Sequence, residues 1–150
     1  MDSELLHKAI VNRWFAEFWG EPSNLAIVDE LASADVVLEY SMTGPLRGRE
    51  ALKRFITAFR DAFPDLRFER DGRLFADREI VVYRWHCAGT HTGPAYCDFN
   101  IGPLSAASGA VIELGGHTAV RFEGELIAEQ AVWSQQRKVQ ARVFSGGLIA

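Results

Sequence analysis

Two histidines lie where a proton-transferring side chain would be useful. His91 sits in the segment Gly-Thr-His-Thr-Gly at 89–93, and His117 follows a glycine pair at 115–116. Imidazole changes its charge near neutral pH, so either ring can act as a general acid or base if it faces a pocket. Each also has a plainer interpretation: His91 can hold a loop by hydrogen bonds, and His117 can point outward.

The surroundings of His117 depend on how the last two strands pair. Paired glycines inside a strand indicate a bulge or a close backbone approach. A turn at 123–125, centred between Gly124 and Glu125, would place His117 opposite about Val132. Its neighbours on that face would then be Ala119, Gln130 and Ser134. This small polar set would suit the wall of a cavity.

Aromatic side chains and strand carboxylates are the other candidates for contact with a ligand. The aromatic residues could line a pocket for a planar hydrophobic molecule, or they could simply fill the core. Two acids, Glu39 and Glu113, lie inside expected strands, whereas no acid follows Glu129. The aromatic set consists of Trp14, Phe18, Phe59, Tyr83, Trp85 and Trp133.

Several chemistries have no support in the motifs. The sequence has no phosphate-binding loop, dinucleotide fingerprint or zinc-protease motif, and we expect no cofactor. His86 and His91 are five residues apart on an expected strand, so they should point to opposite faces, and we expect no metal site. Cys87 and Cys97 are the two cysteines. Without a CxxC motif they are best explained as thiols of a protein in a reducing compartment.

Length and charge narrow the class of protein further. The chain has 150 residues, 48% of them hydrophobic, and a net charge of -4. This predicts one domain, 1–150, with a real core. Basic residues alternate with acidic ones, so we expect no nucleic acid partner. No apolar stretch is long enough for a membrane span, and the polar start has no signal peptide pattern, so we expect a cytoplasmic protein.

Helical periodicity dominates the first half of the chain. Leu6, Ile10, Trp14 and Phe18 recur every four residues and predict a helix over about 3–19. A second, shorter helix should follow Ser23 or Asn24. The third has its apolar stripe at Leu52, Phe55, Ile56, Phe59 and Phe63 and ends at Pro64.

The second half follows a period of two, which is typical of strands. We expect strands near 36–40, 66–74, 79–91, 110–122 and 126–136, with a loop over 93–108. On the 79–91 strand, Val81, Tyr83, Trp85 and Cys87 should share one face. Helices followed by a mostly antiparallel sheet predict an α+β protein, in which one curved sheet wraps about three packed helices.

Four segments, in order along the chain, resemble those of SnoaL-like polyketide (ester) cyclases. They are Pro-Leu-Arg-Gly-Arg-Glu-Ala at 45–51, Ala-Phe-Pro-Asp-Leu at 62–66, Tyr-Arg-Trp at 83–85 leading to 89–93, and Arg-Phe at 121–122 leading to Ile-Ala-Glu at 127–129. The resemblance implies the cystatin-like cone of the nuclear transport factor 2-like superfamily, which includes ketosteroid isomerase and scytalone dehydratase. It also implies a hydrophobic pocket and a homodimer.

The same resemblance implies cofactor-free acid–base catalysis. In these cyclases an aspartate on the last long strand handles a proton during aldol ring closure, while a histidine and amides stabilise the enolate. An apolar cavity raises a carboxyl pKa towards the working range. Here the matching stretch is Ala-Val-Trp-Ser-Gln at 131–135, which has no acid, whereas His117 matches the histidine.

We therefore expect a protein that binds a hydrophobic, oxygenated small molecule and performs cyclisation, isomerisation or hydration on it. His117 is the expected acid or base, His91 a second polar group, and Gln135 or Ser134 would orient a carbonyl in place of the aspartate. The alternative is a non-catalytic binding or dimerisation module of the same fold. The expected ligand contacts are Tyr40, Tyr83, Trp85, Glu113, Trp133 and Ser134.

Overall fold

All three expected helices form. A computed structural model describes residues 2–40 and 44–140, with side chains described as far as 136. The helices are α1 (Ser3–Phe18), α2 (Ala26–Leu31) and α3 (Arg49–Ala62). The apolar stripes of α1 and α3 pack into the core, because burial there removes both stripes from water. None of the described helices is long and apolar enough to cross a membrane.

Six strands form one large curved, mixed sheet around these helices. The strands are β1 (Ala32–Tyr40), β2 (Leu46–Arg47), β3 (Arg67–Asp77), β4 (Ile80–Thr90), β7 (Val111–Glu123) and β8 (Leu126–Gln140). Their order in the sheet is β2-β1-β8-β7-β4-β3. Only the β1–β8 pair is parallel among these described strands. The expected α+β class, with helices packed in a mostly antiparallel sheet, is therefore confirmed.

The expected loop over 93–108 contains a short hairpin, so that expectation was wrong in part. β5 (Tyr96–Asp98) pairs with β6 (Ile101–Leu104) as a separate two-stranded sheet. The turn is made by Phe99 and Asn100, both with positive φ, at 49° and 63°. Only Asn100 is typical of such a turn, and Gly102 and Pro103 fall inside β6. Because glycine and proline are typical of loops, their presence inside β6 gives the whole segment the composition of a loop.

The expected register of the last hairpin was wrong by one residue. Arg121 pairs with Glu129, but Phe122 pairs with Ile127, so Ala128 is an extra residue in β8. This bulge shifts every later pair, and His117 lies opposite Trp133 instead of Val132. Because side chains alternate between faces, the shift exchanges the neighbours of His117.

The faces of β4 are those expected from its alternation. Val81, Tyr83, Trp85 and Cys87 are buried on the inner face, which meets the helices, while Arg84 is exposed on the outer face. Cross-strand partners share a face, so Thr118 and Val132 continue the inner row that begins at Tyr83. Likewise His117 and Trp133 continue the outer row from Arg84. The inner face of the sheet therefore forms one wall of the core.

Candidate functional site

Polar side chains on the inner face of the sheet form a small buried group. Trp85 Nε1 donates a hydrogen bond to Thr118 Oγ1 at 2.9 Å. Tyr83 lies opposite Thr118 on the neighbouring strand. Burial raises the pKa of the Tyr83 phenol, which therefore stays protonated and able to donate. Both expected residues, Tyr83 and Trp85, thus face the interior.

Gln130 is the most unusual member of this inner face. Its side chain is fully buried, and neither its amide nitrogen nor its amide oxygen has a hydrogen-bond partner among the described residues. Leaving a buried amide unpaired costs about 1–3 kcal/mol, so such groups are rare and call for a partner. The sequence placed Gln130 beside His117, whereas the bulge at Ala128 puts the two on opposite faces.

Three further buried donors share this property. Trp14 Nε1, on α1, Arg70 Nε, on β3, and the Tyr96 hydroxyl, on β5, have no partner within the described part of the chain. Burial raises the pKa of Tyr96, so this phenol is also a neutral donor. The signal that could have found Thr118 and Gln130 is their even spacing along each strand from the apolar residues Val120 and Val132, which also face inward.

No buried carboxylate lies on the inner face of the sheet among the described residues. The buried polar residues within the described chain are His7, His91, Thr118 and Gln130. Within 131–135, Val132 is buried opposite Thr118, and Ser134 is half-buried opposite Gly116. Of the other carboxylates, Glu39 and Glu113 are exposed, and Glu129 is half-buried and pairs with Arg121 at 3.2 Å.

Five of the expected site residues, including the inward-facing Trp85, line an open cleft. The cleft has a volume of about 280 Å³. His117 stacks on Trp133, with ring centroids 5.1 Å apart, and Trp133 is 48% exposed. Arg84 also lines the cleft, and its guanidinium has no hydrogen bond or ion pair with any described residue. The five expected residues are Trp85, His117, Trp133, Ser134 and Gln135.

The ring of His91 is hydrogen-bonded to the loop that follows its strand. Its ring is fully buried. Nε2 donates to the Pro94 carbonyl at 2.6 Å, which leaves Nδ1 to accept from the Ser108 hydroxyl at 2.8 Å. The His91 amide also bonds to Ala110 at 2.8 Å. With both ring nitrogens engaged, His91 holds the loop that carries the β5–β6 hairpin, away from the other expected site residues.

The remaining expected residues lie apart from the cleft. Tyr40 is buried on β1, and its hydroxyl donates to both carboxylate oxygens of Asp98 at 2.9 and 3.2 Å. Glu113 is exposed on β7, opposite Lys138. In the described residues, no group of three or more His, Cys, Asp or Glu side chains could hold a metal ion.

The glycine pair makes the close approach expected of it. A Cβ added at Gly116 would lie 2.2 Å from the Trp133 carbonyl oxygen and 2.6 Å from Cζ2 of Trp85. Both distances are far below contact distance, so only glycine fits between β8 and the Trp85 ring. Gly116 therefore lets the indole of Trp85 approach the backbone of β7 closely.

Helices packed inside a curved mixed sheet define the α+β cone of the nuclear transport factor 2-like proteins. Within this class, the model of the SnoaL-like polyketide cyclase family matches residues 9–141, and the chain belongs to that family. No protein with a curated function matches the sequence. The family assignment rests on most of the chain and confirms the resemblance of the four segments.

Solved structures of this fold superpose over most of their length. A protein described as a SnoaL-like polyketide cyclase from Jannaschia sp. CCS1 is 17% identical, with a TM-score of 0.74 over 90% of this chain and 89% of the other. A polyketide cyclase homologue from Acidithiobacillus ferrooxidans is 26% identical, with a TM-score of 0.66 and 92% of both chains covered. SalBIII is described as an epoxide hydrolase/cyclase-like enzyme in pyran ring formation of salinomycin. It is 17% identical, with a TM-score of 0.69 over 94% and 99% of the two chains.

Proposed function

We propose that this protein binds a hydrophobic, oxygenated small molecule between its helices and the inner sheet face. The observation that carries the proposal is the fully buried amide of Gln130, which has no partner among the described residues. A carbonyl or hydroxyl group of a ligand would satisfy it at little further cost, because the desolvation of the amide is already part of the folded state.

We propose further that the bound molecule undergoes cofactor-free acid–base chemistry of the cyclisation, isomerisation or hydration type. The protonated phenol of Tyr83 and the amide of Gln130 are the kinds of donor that stabilise negative charge developing on a carbonyl oxygen. Ring formation is the chemistry attributed to SalBIII, a protein of the same fold. In this proposal the two donors stabilise the negative charge on the carbonyl oxygen, and the α-proton passes to a water molecule admitted with the substrate, since neither donor is a base.

A non-catalytic binding module is the second candidate. It is favoured by the absence of any buried carboxylate among the described residues, since a proton acceptor is the part of the family mechanism that is missing. An α-proton exchange assay separates the two. In deuterated water, an enzyme should speed exchange of the α-protons of 2-tetralone about 100-fold or more over buffer. A binding module should leave the exchange rate at that of buffer.

The position of the ligand is tested with paired probes. Gln130→Leu should weaken binding of 2-naphthol about tenfold, which corresponds to one hydrogen bond, and leave binding of naphthalene unchanged. Gln135→Leu, in the outer cleft, is the matched control and should change neither affinity. If Gln135→Leu weakens 2-naphthol binding instead, the outer cleft beside His117 is the site. If neither variant does so, the interior site is wrong.

We also propose that the protein forms a homodimer through the outer face of its sheet. An apolar row crosses four strands there, from Phe75 through Val82 and Ala119 to Ala131. Phe75 is 63% exposed. In a twofold-symmetric dimer, the apolar row of one copy would pack against the same row of the other copy. Phe75→Glu should produce a monomer in sedimentation velocity, whereas Leu5→Glu, on the exposed side of α1, should not. A monomeric parent chain would contradict the proposal.

We infer a cytoplasmic location without nucleic acid or membrane partners. The support is the net charge of -4, the alternation of basic and acidic residues, and two cysteines that are both free. Fractionation of cells that express the tagged protein tests this. Recovery with the membrane or nucleoid fraction would contradict it.

A further inference from the structure

Phe99 fills the centre of the interior with its ring. It is fully buried, although it belongs to the turn of a hairpin outside the main sheet. Six aromatic side chains surround it, with ring centroids 5.1 to 6.5 Å away. These six are Trp19, Tyr40, Phe55, Phe59, Phe68 and Trp85. A turn residue thus occupies the position that a bound aromatic ring would take.

The backbone of this turn does not suit phenylalanine. Phe99 and Asn100 have φ of 49° and 63°, a conformation that favours glycine or asparagine and penalises a bulky side chain. Such strain persists only where the surroundings over-determine it, and it often marks segments that move. The burial of its ring, and not the preference of the turn, therefore holds Phe99 in place.

The hairpin is held against the cone by the buried side chains of Tyr96, Phe99 and Ile101 and by a few polar contacts. The Tyr40 hydroxyl donates to Asp98 at 2.9 Å. Asn100 Nδ2 donates to the Ser134 carbonyl at 2.9 Å, and Gln136 Nε2 donates to the Asn100 carbonyl at 2.9 Å. These contacts bond the turn to β1 and β8 through side chains, without a continuous backbone ladder to the main sheet. Such contacts can break one by one while the main sheet stays intact.

We propose that Phe99 is a removable plug of an aromatic subsite. A ligand with a flat, unsaturated ring takes the place of the Phe99 ring when the β5–β6 hairpin swings outward. The ring exchange keeps the tilted and edge-to-face contacts of the six surrounding aromatic side chains, so the displaced and the entering group are of one chemical kind. This inference rests on the proposed interior site and names the class of ligand that it takes.

Binding kinetics of 1-aminoanthracene, a neutral fluorescent aromatic probe, test the plug. In the parent protein the observed rate should level off at high probe concentration, because hairpin opening precedes binding. Tyr40→Phe removes the bond to Asp98 and should raise that plateau several-fold. Phe99→Ala should bind about tenfold more tightly, with a rate linear in concentration. Phe63→Ala, which opens an equal space elsewhere in the core, is the control and should do neither.

A reversible lock provides the second measurement. Asn100→Cys and Ser134→Cys, in a Cys97→Ser background, place two thiols at neighbouring positions, since Asn100 Nδ2 donates to the Ser134 backbone carbonyl. The disulfide that they form on oxidation should hold the hairpin closed. Probe binding should be lost in the oxidised form and return on reduction. The same molecule serves as its own control, so the result does not depend on how Phe99→Ala folds.

The outcomes separate the plug from the proposed function. Unchanged probe binding in the oxidised lock, or a linear rate that Tyr40→Phe does not change, overturns the plug. The interior site then still stands if Gln130→Leu weakens 2-naphthol binding. Conversely, suppose that the oxidised lock prevents binding of the probe and that Gln130→Leu leaves the affinity for 2-naphthol unchanged. The plug is then supported, whereas recognition of a polar group by Gln130 is wrong. Absence of probe binding to both the parent and Phe99→Ala overturns the plug, and both proposals fail if Gln130→Leu also leaves 2-naphthol binding unchanged.

Discussion

The ring of His117 stacks on the indole of Trp133, with the two planes inclined by 22°. This contact is possible only because the extra residue at Ala128 brings Trp133 opposite His117. Both rings lie on the outer face, whereas Tyr83, Thr118 and Gln130 face the helices. The expected catalytic histidine and the buried donors are therefore separated by the thickness of the sheet.

His117→Ala follows directly from this separation. We expect the variant to keep its affinity for 2-naphthol within about twofold, because the ring makes no contact with the inner face. Intrinsic fluorescence should still change, since the variant uncovers Trp133. Fluorescence titration of parent and variant checks both statements. A loss of α-proton exchange activity in this variant would instead place the chemistry in the outer cleft.

Gly116→Ala should destabilise the fold strongly. The added Cβ would collide with the Trp133 carbonyl oxygen and the Trp85 ring, and one of these partners is backbone. We expect a loss of about 3 kcal/mol in the free energy of unfolding, at the upper end for overpacking. Urea denaturation checks this value. Gly102→Ala is the control and should lie within about 0.5 kcal/mol of the parent, because nothing surrounds its added Cβ.

Arg60 ties the end of α1 to the end of α3. Its guanidinium donates to the Trp19 carbonyl at 2.7 Å, the Leu66 carbonyl at 2.8 Å and the Ser23 hydroxyl at 2.9 Å. Arg60→Ala leaves these half-buried acceptors unpaired and should cost about 3 kcal/mol. Arg54→Ala, on the exposed side of the same helix, should cost less than about 0.5 kcal/mol. Equal melting temperatures for the two variants would contradict this assignment.

The two thiols should differ sharply in reactivity. Burial raises the pKa of Cys87 to about 12, so almost none of it is thiolate near neutrality, whereas Cys97 is exposed. At pH 8 an aromatic disulfide reagent should modify one thiol rapidly in the native protein and two after denaturation. Cys97→Ser should remove the rapid phase, and Cys87→Ser should keep it. Rapid reaction of both native thiols would show that the core around Cys87 opens readily.

Local patterns were sufficient to predict the fold but not the pairing of the last two strands. The stripe on α3 and the alternation on β4 are short-range features, and both elements formed as expected. The phase of β8 depends on one bulge at Ala128, which no local pattern marks because Ile127 and Ala128 are both apolar and both buried. The extra residue Ala128 therefore determines which side chains of β8 lie beside His117.

Long-range placement escaped prediction for a related reason. Phe99 lies in a stretch with the composition of a loop, and its burial arises from six rings contributed by helices and strands distant in the chain. The alternation of faces within β7 and within β8 was predicted correctly, but the register between the two strands was not. For this reason Gln130 was expected near His117. When a bulge lies in one of two paired strands, the alternation within each strand does not determine which residues lie opposite each other.

The extra residue at Ala128 also determines which changes in length the chain can survive. Removing Ala128 would transpose the two faces of β8 from Glu129 onward, so that the indole of Trp133 would enter the core and Gln130 would leave it. Loss of one residue from the exposed stretch 105–107 shifts no pairing in the main sheet. Among related sequences, insertions and deletions of one residue should therefore be common in the segment before β7 and rare at the start of β8.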